Sequence, residues 1–295
     1  MIFKFPAAVL STFMVATTPL SALEISALVG LASDSAAALE ELTSGANSRT
    51  GESDILQEVE FGITGSPTED LSLSFDFNAE NYSDYSENSS STHNVGARWS
   101  RDSGDWSYGL SADYLDMSLD GSAYLEMTML TPSVSLFAGN NFFMASALIQ
   151  NKGFEEFTEF DADLTQFSLL TIRFFNNYKS NLSVTLTTAE EDANNDTYDF
   201  DEDKIAFGLS HKFVIGSRKF RGRINYEVRS RDYPKVSDAA ERSEEDRDRI
   251  RSRLTTSISE NTEIEFELDH KDRKANIASS TYDSQLFAIR LKYRR

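Results

Sequence analysis

The chain has 295 residues, 48 of them acidic against 28 basic, for a formal net charge of −20, and it contains three histidines and no cysteine. This balance argues against a nucleic-acid partner, since phosphate recognition needs clustered cations. Without cysteine no disulfide or thiolate chemistry exists, so an exported chain must be held by its backbone ladder and its packing.

In chain order, the first 22 residues have the layout of an export signal. Lys4 is the single charge ahead of an apolar run over 5–16, and the stretch Thr17-Thr18-Pro19-Leu20-Ser21-Ala22 comes next. The run is too short to cross a bilayer as a helix, so residues 1–22 read as a signal peptide cleaved after Ala22, and 23–295 as one exported domain. No later stretch supplies the roughly 18 consecutive apolar residues of a membrane helix.

Beyond residue 22 the chain alternates with period two. In 71–80, Leu71, Leu73, Phe75, Phe77 and Ala79 alternate with Ser72, Ser74, Asp76, Asn78 and Glu80. Successive side chains on a strand point to opposite faces, so this segment has one apolar wall and one wet wall; helical spacing would mix the two sets. The pattern returns at 24–31, 54–64, 93–100, 106–114, 125–137, 142–150, 164–175, 182–188, 205–213, 220–230, 250–258, 264–270 and 282–293. Together these predict about 14 strands, each able to cross a bilayer when tilted.

The connections alternate as well. Short, turn-rich ones fall at 65–70, 102–105, 139–141, 176–180, 216–219 and 260–262. Long polar ones fall at 32–53, 81–92, 116–123, 151–163, 189–203, 232–246 and 272–281, and these hold the acidic runs at 155–156, 190–192, 199–203 and 241–248. Short periplasmic turns opposite long outer loops, with both termini periplasmic, are the pattern of outer-membrane barrels, and a soluble sandwich has no reason to adopt it. The predicted fold is therefore all-β: a membrane-spanning, antiparallel up-and-down β-barrel of about 14 strands. Trp99, Trp106, Phe137, Phe142, Phe174, Phe213, Phe220 and Tyr293 sit beside the short turns, and Tyr82, Tyr114, Tyr233 and Tyr282 near the other rim, as two headgroup-level girdles would.

The final segment, Phe287-Ala288-Ile289-Arg290-Leu291-Lys292-Tyr293, resembles the terminal recognition strand of Gram-negative outer-membrane β-barrels, porins among them. That pattern usually finishes on Phe or Trp, whereas this chain continues into Arg294-Arg295. The resemblance implies an outer-membrane location, contact with membrane lipid and lipopolysaccharide, and insertion by the barrel-assembly machinery.

The polar faces carry the candidate site. Arg221, Arg223, Arg229 and Arg231 share one strand face, and Arg247, Arg249, Arg251 and Arg253 the next. The strand after that answers with Glu263, Glu265, Glu267 and Asp269. A hairpin through 260–262 pairs Arg253 with Asp269 and sets Glu267 on the diagonal. Closure of the barrel brings Glu58, Glu60, Asp76 and Glu80 onto an adjacent arc. Such charges either stiffen the lumen as a salt-bridge ladder or line a pore whose opposed walls orient small polar solutes. The expected lining is Arg221, Arg223, Arg229, Arg249, Arg251, Arg253, Glu58, Glu60, Asp76, Glu263, Glu265, Glu267 and Asp269.

Catalysis has little to work with. His93, His211 and His270 lie on distant strands, the last two on apolar faces, and no cofactor is expected. The acidic stretches 192–196 and 199–203 offer oxygen ligands for Ca²⁺ but lack EF-hand spacing. Ser35, ahead of Ala36-Ala37-Ala38-Leu39-Glu40-Glu41-Leu42, could cap a short helix in the first long loop, a candidate obstruction. The expected function is passive diffusion of small hydrophilic solutes or ions. The alternatives are a closed adhesive barrel or an export barrel loosely similar to surface lipoprotein assembly modifiers, whose helical repeats this chain lacks.

Overall fold

Alternation leaves every segment one face to bury and one to wet, and in lipid the ladder of such a sheet is satisfied only if its edges meet. The computed structural model describes residues 23–35, 53–236, 243–276 and 281–295. The expected signal peptide and the helix after Ser35 lie outside these residues. Fourteen strands form: β1 (Leu23–Asp34), β2 (Asp54–Gly65), β3 (Leu71–Tyr82), β4 (Ser90–Ser103), β5 (Trp106–Leu119), β6 (Ser122–Ala138) and β7 (Asn141–Phe154), then β8 (Ala162–Phe175), β9 (Ser180–Ala193), β10 (Phe200–Ile215), β11 (Arg218–Asp232), β12 (Glu244–Ser257), β13 (Thr262–Ala275) and β14 (Tyr282–Arg294). Each pairs antiparallel with its sequence neighbours, and β1 pairs with β14 to close the barrel. Every segment predicted from the sequence lies within one of these strands, apart from Ile258 at the end of its run.

The strands reach further than the alternation suggests. Glu190-Glu191-Asp192 belongs to β9, Asp201-Glu202-Asp203 to β10 and the run from Glu244 to Asp248 to β12, so these acidic runs are not loops. Near the outer rim both strand faces are polar, and the period fades although the ladder continues. The connection expected over 116–123 is likewise not long. It is a two-residue turn, Asp120-Gly121, with φ of 48° and 76° at its two residues. Positive φ at both centres gives the turn twist that matches paired strands.

Outward faces carry Val29, Leu31, Phe167, Leu169 and Leu268, all exposed by more than half because their partner is lipid. Trp99, Trp106 and Tyr293 belong to this outer set, as do Phe213 and Phe220, opposite each other in the register and stacked at 5.6 Å. The girdle reading fails for the others. Phe137, Phe142 and Phe174 fall on the inward-pointing alternation and cluster together, with Phe137–Phe174 centroids 5.9 Å apart. At the opposite rim only Tyr114 faces out. Tyr82 packs on Leu56, Ala32 and Ala288, Tyr233 is 2% exposed against Phe200, and Tyr282 lies opposite inward-facing Arg273. Distance from a turn sets a ring's height on the wall, whereas parity sets its face.

The closing seam depends on one glycine. Gly30 of β1 lies between Arg290 of β14 and Glu58 of β2 in the register. The Arg290 guanidinium donates to both Glu58 oxygens, at 2.5 and 2.8 Å, over the top of β1. A Cβ at residue 30 would sit 2.5 Å from Glu58 Oε2 and 3.0 Å from Arg290 Cγ. Gly30→Val is therefore predicted to destabilise the closed barrel by about 1–3 kcal/mol, the usual overpacking cost. The temperature at which the folded band is lost on heat-modifiability gels should fall, while Gly153→Val, where a Cβ meets open space, should leave it unchanged.

Candidate functional site: the barrel interior

The ladder register brings all thirteen predicted lining residues onto the inward face. Arg253 lies opposite Glu267, which lies opposite fully buried Ala288; Arg223 lies opposite Arg253, and Asp76 opposite Gly62 on the same wall. The predicted pairing within the β12–β13 hairpin is corrected by two residues. Arg253 faces Glu267, not Asp269, and Arg251 faces Asp269. The reversal is centred on Glu260, with the Ile258 N–H donating to the Thr262 carbonyl at 2.8 Å. A shift of two keeps every side chain on its face, so alternation cannot detect it.

Eight of these charges, with further residues, form three ion-paired groups. In the middle, Asp269 accepts from Arg249 Nη2 at 2.5 Å and Arg251 Nε at 2.9 Å, and Arg253 binds Glu267. Beside the seam, Arg290 reaches Glu267 at 3.1 Å and Glu265 at 3.6 Å as well as Glu58, and Lys292 reaches Glu265 at 2.9 Å. Towards the outer rim, Glu245 accepts from Arg229 and Arg273, each at 2.5 Å, and Glu202 accepts from Arg231 at 2.6 Å. The Arg231 guanidinium also lies 4.0 Å over the Phe200 ring. Arg290, Lys292, Glu202, Glu245 and Arg273 are members of the site that the sequence does not single out. The available signal for Arg290 and Lys292 is parity: both share the inward phase of the last strand with Ala288.

The remaining wall carries few charges, Asp113 of β5 and the buried Lys152–Glu191 pair near the outer rim among them. Strands β6–β9 turn Met144, Leu148, Leu170 and Ile172 inward alongside Ser168 and Thr187, whose hydroxyls lie 3.1 Å apart. Near the outer rim this sector becomes an apolar cluster of Met117, Leu125, Met127 and Phe154. The interior therefore has a cationic sector on β11–β12, an anionic one on β13 and β2–β3, and an apolar–hydroxyl one between β5 and β9.

Burial changes along the axis. In the outer half, inward side chains pack together: Glu245 and Leu125 are each 1% exposed, Leu56 3%. In the half nearer the short turns, inward-facing Glu60, Asp76, Arg223 and Asn225 are exposed although they lie within strands. Their exposure is to the lumen.

Two other chemistries suggested by the sequence have structural counterparts. Lys235 extends its ammonium to Asp199 at 2.5 Å and to Asp192 and Asp196 at 3.7 Å each, so a lysine stands where the acidic stretches suggested Ca²⁺. The Asp199 hydrogen bond holds that ammonium above the ordinary lysine range. Among the described residues no group of carboxylates and histidines is arranged to hold a metal. His211 Nδ1 does lie 2.7 Å from a serine hydroxyl, that of Ser180. Ser180 is 2% exposed and accepts from Asn176, which leaves a substrate no approach to its oxygen.

A closed, antiparallel up-and-down barrel of 14 strands, apolar outside and charged within, with the longer connections mostly at one rim and Leu23 and Arg295 at the other, is an outer-membrane β-barrel of porin-like architecture. Solved structures agree at the level of fold. OmpT, an outer membrane protein of Vibrio cholerae, in a form lacking loop L8, superposes with TM-score 0.53 at 11% identity, covering 93% of this chain and 99% of that one. An anion-selective porin from Comamonas acidovorans gives 0.53 at 9% identity over 93% and 99%. A bacterial polysaccharide outer membrane secretin gives 0.53 at 9% identity over 91% and 98%. No protein-family model matches the sequence, and no curated protein matches it.

Glu245 is the most constrained member of the site. Glu245→Ala removes the nearest carboxylate from two buried guanidiniums, so it is predicted to cost about 3–5 kcal/mol. Urea unfolding of the refolded barrel should show this, and Glu244→Ala, an exposed neighbour, should stay close to the parent.

Proposed function

We propose that the protein is a passive, non-enzymatic channel through which small hydrophilic solutes or ions cross the outer membrane, lined by the thirteen interior charges predicted from the sequence. The observation that carries this reading is the solvent exposure of Glu60, Asp76, Arg223 and Asn225 on the inward face. A polar wall wetted at mid-strand is what a diffusing solute requires, and a 14-strand barrel has the circumference to enclose it. Above that vestibule the Arg249–Asp269, Arg251–Asp269 and Arg253–Glu267 pairs set opposite charges on adjoining arcs, a transverse field for polar solutes. Contact of the outer surface with lipid and lipopolysaccharide, and insertion by the barrel-assembly machinery, belong to the same proposal.

A closed, structural or adhesive barrel is the second reading, favoured by the tight packing of Glu245, Leu125 and Ala288 in the outer half. One recording separates them. Protein inserted in planar bilayers is predicted to give discrete conductance steps, and Arg251→Gln/Arg253→Gln should raise the cation-to-anion permeability ratio by roughly twofold or more, since it removes two positive charges and leaves Asp269 and Glu267 with fewer guanidinium partners. Absence of steps, together with no liposome swelling, would favour the closed barrel. Steps with unchanged selectivity would reduce the two arginines to scaffold.

A further inference from the structure

Cations and carboxylates are closely matched over most of the interior. Each arginine of β12 (Arg247, Arg249, Arg251 and Arg253) has a carboxylate within ion-pair distance. The contrast lies at the short-turn end of β9–β11. There the backbone N–H of Lys212 donates to the Lys179 carbonyl at 2.8 Å, and Lys212 is directly opposite Arg221 in the register. Lys212 and Arg221 thus share one rung of β10 and β11, with Lys179 beside it in the turn before β9. Lys219 sits below them and Arg223 above, in the same inward phase as Arg221. Among the described residues, none of these five is in an ion pair with a carboxylate.

Like charges directly opposite on a sheet are destabilising. A chain with a net charge of −20 has no shortage of carboxylates to match them. These cations also border a cavity of about 600 Å³, whose wall includes Lys179, Lys212, Lys219 and Arg221 together with the hydroxyls of Thr255 and Ser257. The carboxylate in that wall, Glu263, accepts from Ser257 at 3.4 Å. Phe213 and Phe220 also border the cavity, and their rings stack on the lipid side of the same two strands.

We propose that this cluster is a binding site for a phosphoryl oxyanion at the periplasmic mouth of the barrel. Arginine offers a planar fork and lysine a compact charge to such a group, and the Thr255 hydroxyl supplies a neutral donor. The anion offsets the repulsion among Lys179, Lys212 and Arg221. Two sources share this chemistry: a soluble phosphate entering or leaving the lumen, and the headgroup of an anionic phospholipid reaching in over the rim at the β10–β11 turn, with its chains against the outward Phe213 and Phe220 rings. Binding here does not require the lumen to conduct, so the site stands or falls separately from the channel reading.

The test uses the folded full-length barrel in a nonionic detergent, stripped of lipid. Inorganic phosphate is titrated by calorimetry, and native mass spectrometry counts phosphatidylglycerol retained from nanodiscs, with phosphatidylcholine as the control. Saturable phosphate binding weakened at least ~10-fold in Lys212→Gln/Arg221→Gln supports the site and a soluble source. Weak phosphate binding with phosphatidylglycerol retained by the parent and lost by the variant supports it with a lipid source. If the variant does not fold, Lys179→Gln/Lys219→Gln, at two exposed positions, carries the same comparison. Parent and variant binding both ligands equally, or neither, overturns the proposal.

Discussion

Closure of the hydrogen-bond ladder is the constraint on which the rest depends. Inside a membrane no water satisfies a strand edge, so β1 and β14 must meet, and they must do so at one register. The register is held at the point where Gly30 lets Arg290 and Glu58 join across β1. A side-chain pair on the two neighbouring strands can bridge β1 there because residue 30 has no side chain in the way. The seam and the interior electrostatics are thus one feature, since Arg290 also binds the carboxylates of β13.

Closure also dictates where charge goes. The outside must be largely apolar, so most polar residues of a strand within the membrane turn inward, where desolvation is expensive unless charges are matched. The outer half meets this by packing guanidiniums against carboxylates, and Glu245 between Arg229 and Arg273 is the tightest case. The inner half meets it with water, which leaves Glu60 and Asp76 exposed. A channel reading draws on the wetted half and a closed-barrel reading on the packed half. The two halves coexist in one wall because each strand carries both.

Most of the fold is legible in the sequence because period two is a direct consequence of a two-faced wall, and loop length a direct consequence of two unequal sides. The thirteen interior charges are legible for the same reason. Parity alone does not convey the rest. The two-residue register shift between Arg253 and Glu267 preserves faces. Closeness to a turn misplaces the rings of Phe137, Phe142 and Phe174, whose phase along the strand points them inward. Glu191, Glu202 and Glu245 have the pattern of loop residues because strands above the membrane no longer need an apolar face, yet they are among the most buried carboxylates. Gly30 gives no sign of its importance until its neighbours across the seam are known.

The absence of cysteine allows a clean test of a wetted inner half beneath a packed outer half. Single cysteines at Asp76 and Asn225, and at Leu125 and Ala288, would be challenged on the folded barrel with a membrane-impermeant maleimide. Rapid labelling at 76 and 225, with 125 and 288 reacting only after unfolding, is the predicted result. Protection at 76 and 225 in the folded protein would contradict it, because the lumen would then be filled along its whole length.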